Sequence, residues 1–151
     1  MKTEVENFLA IRQVLYHLYT GMFDGMQKRL GMTQMEINIL LFLANNPEMD
    51  TAAEVVSACK LSKSQVSMAV ENLAKKGYLG RVTEGRRIHL QLLPAADEVI
   101  REGFACRQEF TDVVLEGVSD EERAKLNAVL LRVAENARDA IARMDSAEGT
   151  V

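Results

Sequence analysis

Six of the seven positions from Ser62 to Met68 carry side chains suited to the edges of bases or to backbone phosphates: Ser62, Lys63, Ser64, Gln65, Ser67 and Met68. Lysine neutralises a phosphate, glutamine can pair bidentately with adenine, a serine hydroxyl serves either groove edge, and a thioether packs on a thymine methyl. Asn72 and Lys75 continue the set along the same stretch, and Arg86-Arg87 add two cations that can enter a minor groove or hold flanking phosphates. The combination is that of double-stranded DNA recognition. Other chemistry is poorly served. There is no Gly-rich phosphate loop, no His-Glu-x-x-His and no nucleophile elbow, so an enzyme is not expected. His17 and His89 stand far apart without partnered ligand spacing, and no metal or cofactor is expected. Cys59 and Cys106 form neither a disulfide framework nor a metal motif.

The elements that position these residues are marked by capping boxes. In each box a Ser or Thr at the helix start and a Glu or Gln three residues on satisfy two backbone N–H groups reciprocally. The pattern occurs at Thr3–Glu6, Thr33–Glu36, Thr51–Glu54, Ser62–Gln65 and Ser119–Glu122, each ahead of an apolar run at helical spacing. Asn45-Asn46-Pro47 ends the second helix, and Gly77 stops the fourth after Lys75-Lys76. Pro94 suits the first turn of a fifth helix, and a sixth runs from Ser119 to Met144, leaving Ser146–Val151 as a frayed polar tail. Between Gly77 and Pro94 the pattern changes. Leu79–Thr83 and Ile88–Leu92 alternate around Glu84-Gly85, which predicts a β-hairpin with Ile88, Leu90 and Leu92 on its apolar face and Arg86-Arg87 at its tip. The expected fold is mainly α with a small β-hairpin wing. A short helix, a tight turn and a second helix form a helix-turn-helix, and the hairpin makes it winged. Val66, Val70 and Leu73 hold the second helix to the domain and leave the polar, basic face free.

The run LSKSQVSMAVENLAKKGYLGRV (Leu61–Val82), the following TEGRRIHLQL and the SDEERAKLNAVL stretch of the final helix resemble the multiple-antibiotic-resistance regulator (MarR) family. The resemblance implies one domain over residues 1–151, with a winged helix at about 33–92 and dimerisation helices at about 3–29 and 94–145. It implies a homodimeric transcriptional regulator, a repressor on a palindromic operator, responsive to a small aromatic or phenolic effector. The sequence departs from the family pattern where Met68 and Asn72 replace Arg. It also departs where Lys60 replaces Gly in the turn, which places Lys60 in or near a left-handed conformation, and where the wing tip is shortened. A tyrosine and methionine cluster, Tyr16, His17, Tyr19, Met22, Phe23 and Met26 with Met32 and Met35, is the candidate effector site, although its plainer reading is core and dimer interface. Cys59 lies beside Lys60, which favours a thiolate, yet it stands where helix-turn-helix proteins bury a hydrophobe.

Net charge sharpens the reading. The chain is acidic, at -4, which argues against nucleic acid taken whole. Residues 60–92 nevertheless carry seven basic and two acidic side chains, for +5, against -3 on residues 1–59 and -6 on residues 93–151. The positive charge is confined to the proposed DNA face. Outer helices with apolar stripes, among them Leu126, Leu130, Val133, Ala137 and Met144, have little domain to pack on, so a second copy is expected to cover them. The longest apolar stretch, Ile39–Ala44, is far short of the ~20 residues that span a bilayer, and the acidic N-terminus lacks signal-peptide character. A cytoplasmic protein without membrane contact is expected. The alternative is a winged helix kept for protein contacts, as an interaction module or adaptor that no longer binds DNA.

Overall fold

The computed structural model describes residues 3–149. Six helices and one hairpin follow in order: α1 (Glu4–Leu30), α2 (Gln34–Asn45), α3 (Ala52–Cys59), α4 (Lys63–Lys75), β1 (Leu79–Glu84), β2 (Arg87–Leu92), α5 (Ala96–Val114) and α6 (Asp120–Glu148). All five capping boxes form in full, with the cap side chain accepting from the backbone three residues on and that residue's side chain accepting from the cap N–H. The helix starts are thus fixed by four-residue windows rather than by long-range packing. Helix α5 is the exception. It starts at Ala96, two residues after Pro94, because Ala96 and Asp97 donate to the Leu93 and Pro94 carbonyls in a tight turn first.

The chain divides between Thr111 and Asp112 into two compact units. In the first, α2 is apolar on nearly every side and forms the centre, with Ile37, Ile39, Leu40, Leu41 and Leu43 buried. Phe23 and Met26 from α1, Val55 from α3, Val66, Val70 and Leu73 from α4, Leu79 and Leu90 from the hairpin, and Ala96 and Val99 from α5 close around it. Helix α5 approaches so closely at Gly103 that a Cβ there would lie 2.8 Å from Leu41 Cδ2. The one buried charged side chain among the described residues is Glu36, in the first turn of α2. Its Oε2 accepts from Thr33 N–H at 3.0 Å and from Lys76 Nζ at 3.1 Å, and Lys76 Nζ also donates to the Gly31 carbonyl at 2.8 Å. Lys76 caps α4, so this ammonium joins the end of α4 to the corner between α1 and α2. Gly77 and Tyr78 then donate to the Ala74 and Leu73 carbonyls, a Schellman turn that launches β1.

The hairpin is antiparallel, with Leu79 opposite Leu92 and Glu84 opposite Arg87. It is one pair longer at its tip than the alternation predicts. The turn is Gly85-Arg86, with Gly85 at φ +60 as the first central residue of a tight hairpin requires. Ile88 is exposed rather than on a buried face, because the strands project past the core, which Leu79 and Leu90 enter fully and Leu92 in part. At the base, Leu90 N–H donates to the Asp50 carbonyl at 2.7 Å, tying β2 to the segment before α3.

The second unit holds the end of α5 and all of α6. Arg123 closes the loop between them, donating through Nε to the Val118 carbonyl and through Nη2 to the Leu115 carbonyl, each at 2.9 Å. Helix α6 extends through Ser146 to Glu148, so those three residues are not a frayed tail. The Ser146 hydroxyl donates to the Ala142 carbonyl, and Gly149 N–H to the Asp145 carbonyl. Thr150 and Val151, the last two residues of the expected tail, lie outside the described residues. No residue of α6 is buried, and Leu126, Val129, Leu130, Leu131, Val133, Ile141 and Met144 are exposed. In the first unit, Val5, Phe8, Leu9, Ile11 and Val14 of α1 are likewise exposed. Among the described residues no helix is long and apolar enough to cross a membrane.

Candidate nucleic-acid interface

Helices α3 and α4 are joined by a turn whose first residue, Lys60, sits at φ 54, ψ 40, as its place in the sequence predicts. It is the only non-glycine among the described residues with positive φ. This left-handed step reverses the chain within three residues, so that α4 leaves at an angle from α3. Helix α4 then buries Val66, Ala69, Val70 and Leu73 and turns its opposite face to solvent. Ser62, Lys63, Ser64, Gln65, Ser67 and Met68 are all exposed, Met68 to 68 %. These six candidates therefore share one accessible patch at the N-terminal end of α4, where backbone N–H groups and the positive dipole end favour a phosphate. Asn72 is half-buried a turn further on, and Lys75 is exposed with its ammonium 4.0 Å from Glu71.

Within this patch the side chains are not equally free. Ser62 Oγ accepts from Gln65 N–H at 3.1 Å, and Gln65 Oε1 accepts from Ser62 N–H at 3.1 Å. The same residue that could read a base is thus the second half of the α4 cap. Lys63, by contrast, has no carboxylate within ion-pair distance among the described residues, and its stem and Ser67 rim an apolar hollow of about 430 Å³ backed by Val56, Val70, Ile88 and Leu90.

The hairpin arginines divide in the same way. Arg86 occupies the turn, exposed and without an ion-pair partner among the described residues. Arg87 is not at the tip but is the first residue of β2, its guanidinium 3.7 Å from Glu54 Oε1 on α3. Glu54 serves the α3 cap at the same time. The hydrogen bonds from the Thr51 backbone and hydroxyl, helped by Arg87, hold its carboxyl below the ordinary 4.5 against the opposing effects of desolvation and Asp50. Arg81 on β1 is held by Glu71 of α4 at 2.8 Å. His89 Nδ1 lies 2.7 Å from Asp50 Oδ1, and its Nε2 lies 3.5 Å from Glu84. Asp50, Glu54 and Glu71 therefore aim the wing, a role that sequence reading missed because each pair joins residues from different elements.

The candidate effector residues do not form one site. Phe23 and Met26 are buried in the core, and Tyr19 packs between Phe23 (5.0 Å between ring centroids) and Phe110 (5.4 Å, edge to face) while accepting from Arg107 Nε at 3.1 Å. They are core because α1 turns this stripe towards α2 and α5. His17 is exposed. Of the eight candidates, Tyr16 and Met35 line one cavity. That cavity, of about 500 Å³, lies among α1, α2, the α3–α4 turn and α5, with Met35, Phe42, Leu61 and Arg107 in its wall. Cys59 is there too, half-buried. Burial pushes its thiol up, against the smaller opposing effect of Arg107, so the thiolate expected from its neighbour Lys60 is not favoured. Burial, then Glu102 and Glu109, also push up the thiol of Cys106. Among the described residues no three His, Cys, Asp or Glu side chains are grouped to hold a metal ion.

A sequence model of the MarR family matches residues 30–88, from the end of α1 to the second residue of β2. The structure is similar to that of a transcriptional regulator, PA3341, at 25% identity and TM-score 0.75 over 87% of this chain and 98% of the other. It is also similar to a MarR protein from Peptoclostridium difficile DA00132, at 20% identity and TM-score 0.80 over 93% of each chain. The MepR–DNA complex of S. aureus aligns at 16% identity and TM-score 0.72 over 85% of this chain and 94% of that one. Comparison with curated proteins finds no match.

Proposed function

We propose that the chain is a member of the MarR family, whose sequence model matches residues 30–88, and that it is a transcriptional regulator that binds a palindromic operator as a homodimer and represses from it in the cytoplasm. The observation that carries the reading is the exposed patch of Ser62, Lys63, Ser64, Gln65, Ser67 and Met68 at the start of a helix whose other face is fixed in the core. Helix α4 enters the major groove by that end, Arg86 reaches beyond it to the minor groove or flanking phosphates, and Arg87 follows by leaving Glu54. A second copy covers the apolar residues that α1 and α6 expose, and sets the half-sites about one helical turn, ~10 bp, apart. An aromatic or phenolic anion in the cavity lined by Tyr16, Phe42 and Arg107 acts on Leu61, the residue just before the α4 cap. A volume of about 500 Å³ suits such a molecule.

The test is fluorescence anisotropy on duplex DNA from upstream of the protein's own coding sequence, against random duplex over a salt series. Binding tighter than random by roughly 10³ is expected, with Arg86→Ala flattening the salt slope by about one unit. Equal binding to both duplexes would favour a protein-interaction module and sink the reading. Sedimentation is expected to show twice 16.8 kDa. A stable monomer overturns the dimer.

A further inference from the structure

Gln65 is read above as one of several residues facing DNA, and its hydrogen bonds say more than that. A carboxamide that recognises adenine lies in the plane of the base, accepting from N6–H₂ through oxygen and donating to N7 through nitrogen. Here Oε1 is turned back to the helix start, where it accepts from Ser62 N–H at 3.1 Å. That bond fixes the carboxamide against the helix start, so its plane is set by the cap rather than by a base. Releasing it would hand the Ser62 N–H to water and dismantle half of the box that starts α4. What remains free is Nε2, exposed on the same face as Lys63, Ser64 and Ser67 and without a partner among the described residues. A donor alone finds N7 on adenine and on guanine equally, and on guanine O6 as well. At a pyrimidine the place of N7 is taken by C5, which offers no acceptor, and the O4 acceptor of thymine lies deeper, where a purine carries its 6-substituent.

We propose that Gln65 reads purines as a class, through a single Nε2–H···N7 hydrogen bond, while its oxygen keeps α4 capped. The proposal deepens the DNA-binding reading and rests on it. Specificity for adenine over guanine at this position is therefore absent, and the position tolerates exchange of one purine for the other.

The experiment uses a duplex that the full-length wild-type protein selects from a random-sequence pool. At the base whose preference changes in Gln65→Glu, the wild type is expected to favour purine over pyrimidine by roughly three- to tenfold, the lower part of what a bidentate pair gives. Adenine and guanine should bind within about twofold of each other. Replacing that purine by its 7-deaza analogue, which removes N7 and nothing else on that edge, is expected to bring affinity down to the pyrimidine level. Gln65→Glu keeps the acceptor for Ser62 N–H and loses the donor. Its helix content should be unchanged, its purine-to-pyrimidine ratio should fall to one or below, since the second carboxylate oxygen can accept from cytosine N4–H₂, and the 7-deaza base should cost it nothing more. Adenine preferred over guanine by tenfold or more overturns the inference, since the cap must then have opened for bidentate reading. A wild type indifferent to the 7-deaza base overturns it too, and that arm needs no variant to fold. If the wild type selects no sequence, the DNA-binding reading itself fails. Every other outcome starts from a bound duplex, so the two failures are told apart.

Discussion

Lys60→Gly is expected to make the protein more stable. Lys60 holds φ 54, ψ 40, where the Cβ of an L-residue crowds the following carbonyl at a cost of about 1–2 kcal/mol. Glycine removes that crowding but loses about 0.4–1 kcal/mol through its freer unfolded chain. The difference favours the variant by about 0.5–1 kcal/mol. A chain of 151 residues gains unfolding entropy of roughly 0.3 kcal/mol/K, so the midpoint should rise by about 2–3 °C. Urea and thermal unfolding at one fixed protein concentration measure this, with the denaturant slope checked for constancy. Lys60→Ala is the control. It removes the same charge and stem but keeps the Cβ, so it should give no comparable gain. If Lys60→Gly is no more stable than wild type at an unchanged slope, the left-handed turn carries no strain and the reasoning is wrong. If Lys60→Ala gains as much, charge rather than backbone geometry sets the effect.

Gly103→Ala should destabilise by about 1–3 kcal/mol, since its Cβ meets the fully buried Leu41 at 2.8 Å and one side must move. A neutral result in urea unfolding would mean that α5 shifts freely. Lys76→Met strands the Glu36 carboxylate, which is 2 % exposed, and should cost about 3 kcal/mol, the low end for a broken buried pair because Lys76 itself is partly exposed. Adding Glu36→Gln to it should recover part of that loss, and a strictly additive double variant contradicts the pairing. Both thiols are pushed above the ordinary 9.0 by burial, so less thiolate exists at any given pH. Alkylation of native protein at pH 7.5 should therefore be slower than that of free cysteine and should climb only above pH 9. Fast labelling of Cys59 near neutrality would revive a sensing role.

The sequence was most legible where structure is local. Each capping box needs four residues, and all five are found formed. Lys60 was legible through the resemblance alone, because the glycine usual at that place implies a left-handed residue there. Pairings that join separate elements were not. Nothing near Glu36 in the chain announces Lys76, and nothing near Arg87 announces Glu54. The stripe of Tyr19, Phe23 and Met26 showed the same limit differently, because apolar spacing marks the inward face of a helix without saying whether a core or a cavity lies opposite. Ser62 and Gln65 were recognised as the α4 cap, and that role is found. That the cap engages the same Gln65 oxygen that the proposed base contact would use became visible only from the hydrogen bonds.

That double use has an evolutionary consequence. Of the six side chains clustered at the start of α4, the cap reserves Ser62 and Gln65 for holding the helix together. Mutation at either trades recognition against folding, so selection meets resistance there. Ser64 meets the cap through its hydroxyl, 3.2 Å from Ser62 Oγ, whereas Lys63, Ser67 and Met68 carry no such duty, and under the proposed function changes at these three alter the preferred operator without weakening the scaffold that presents it. Under the proposed function, divergence between this chain and its descendants should therefore be written first in those three letters, with the capping pair as the frame around them.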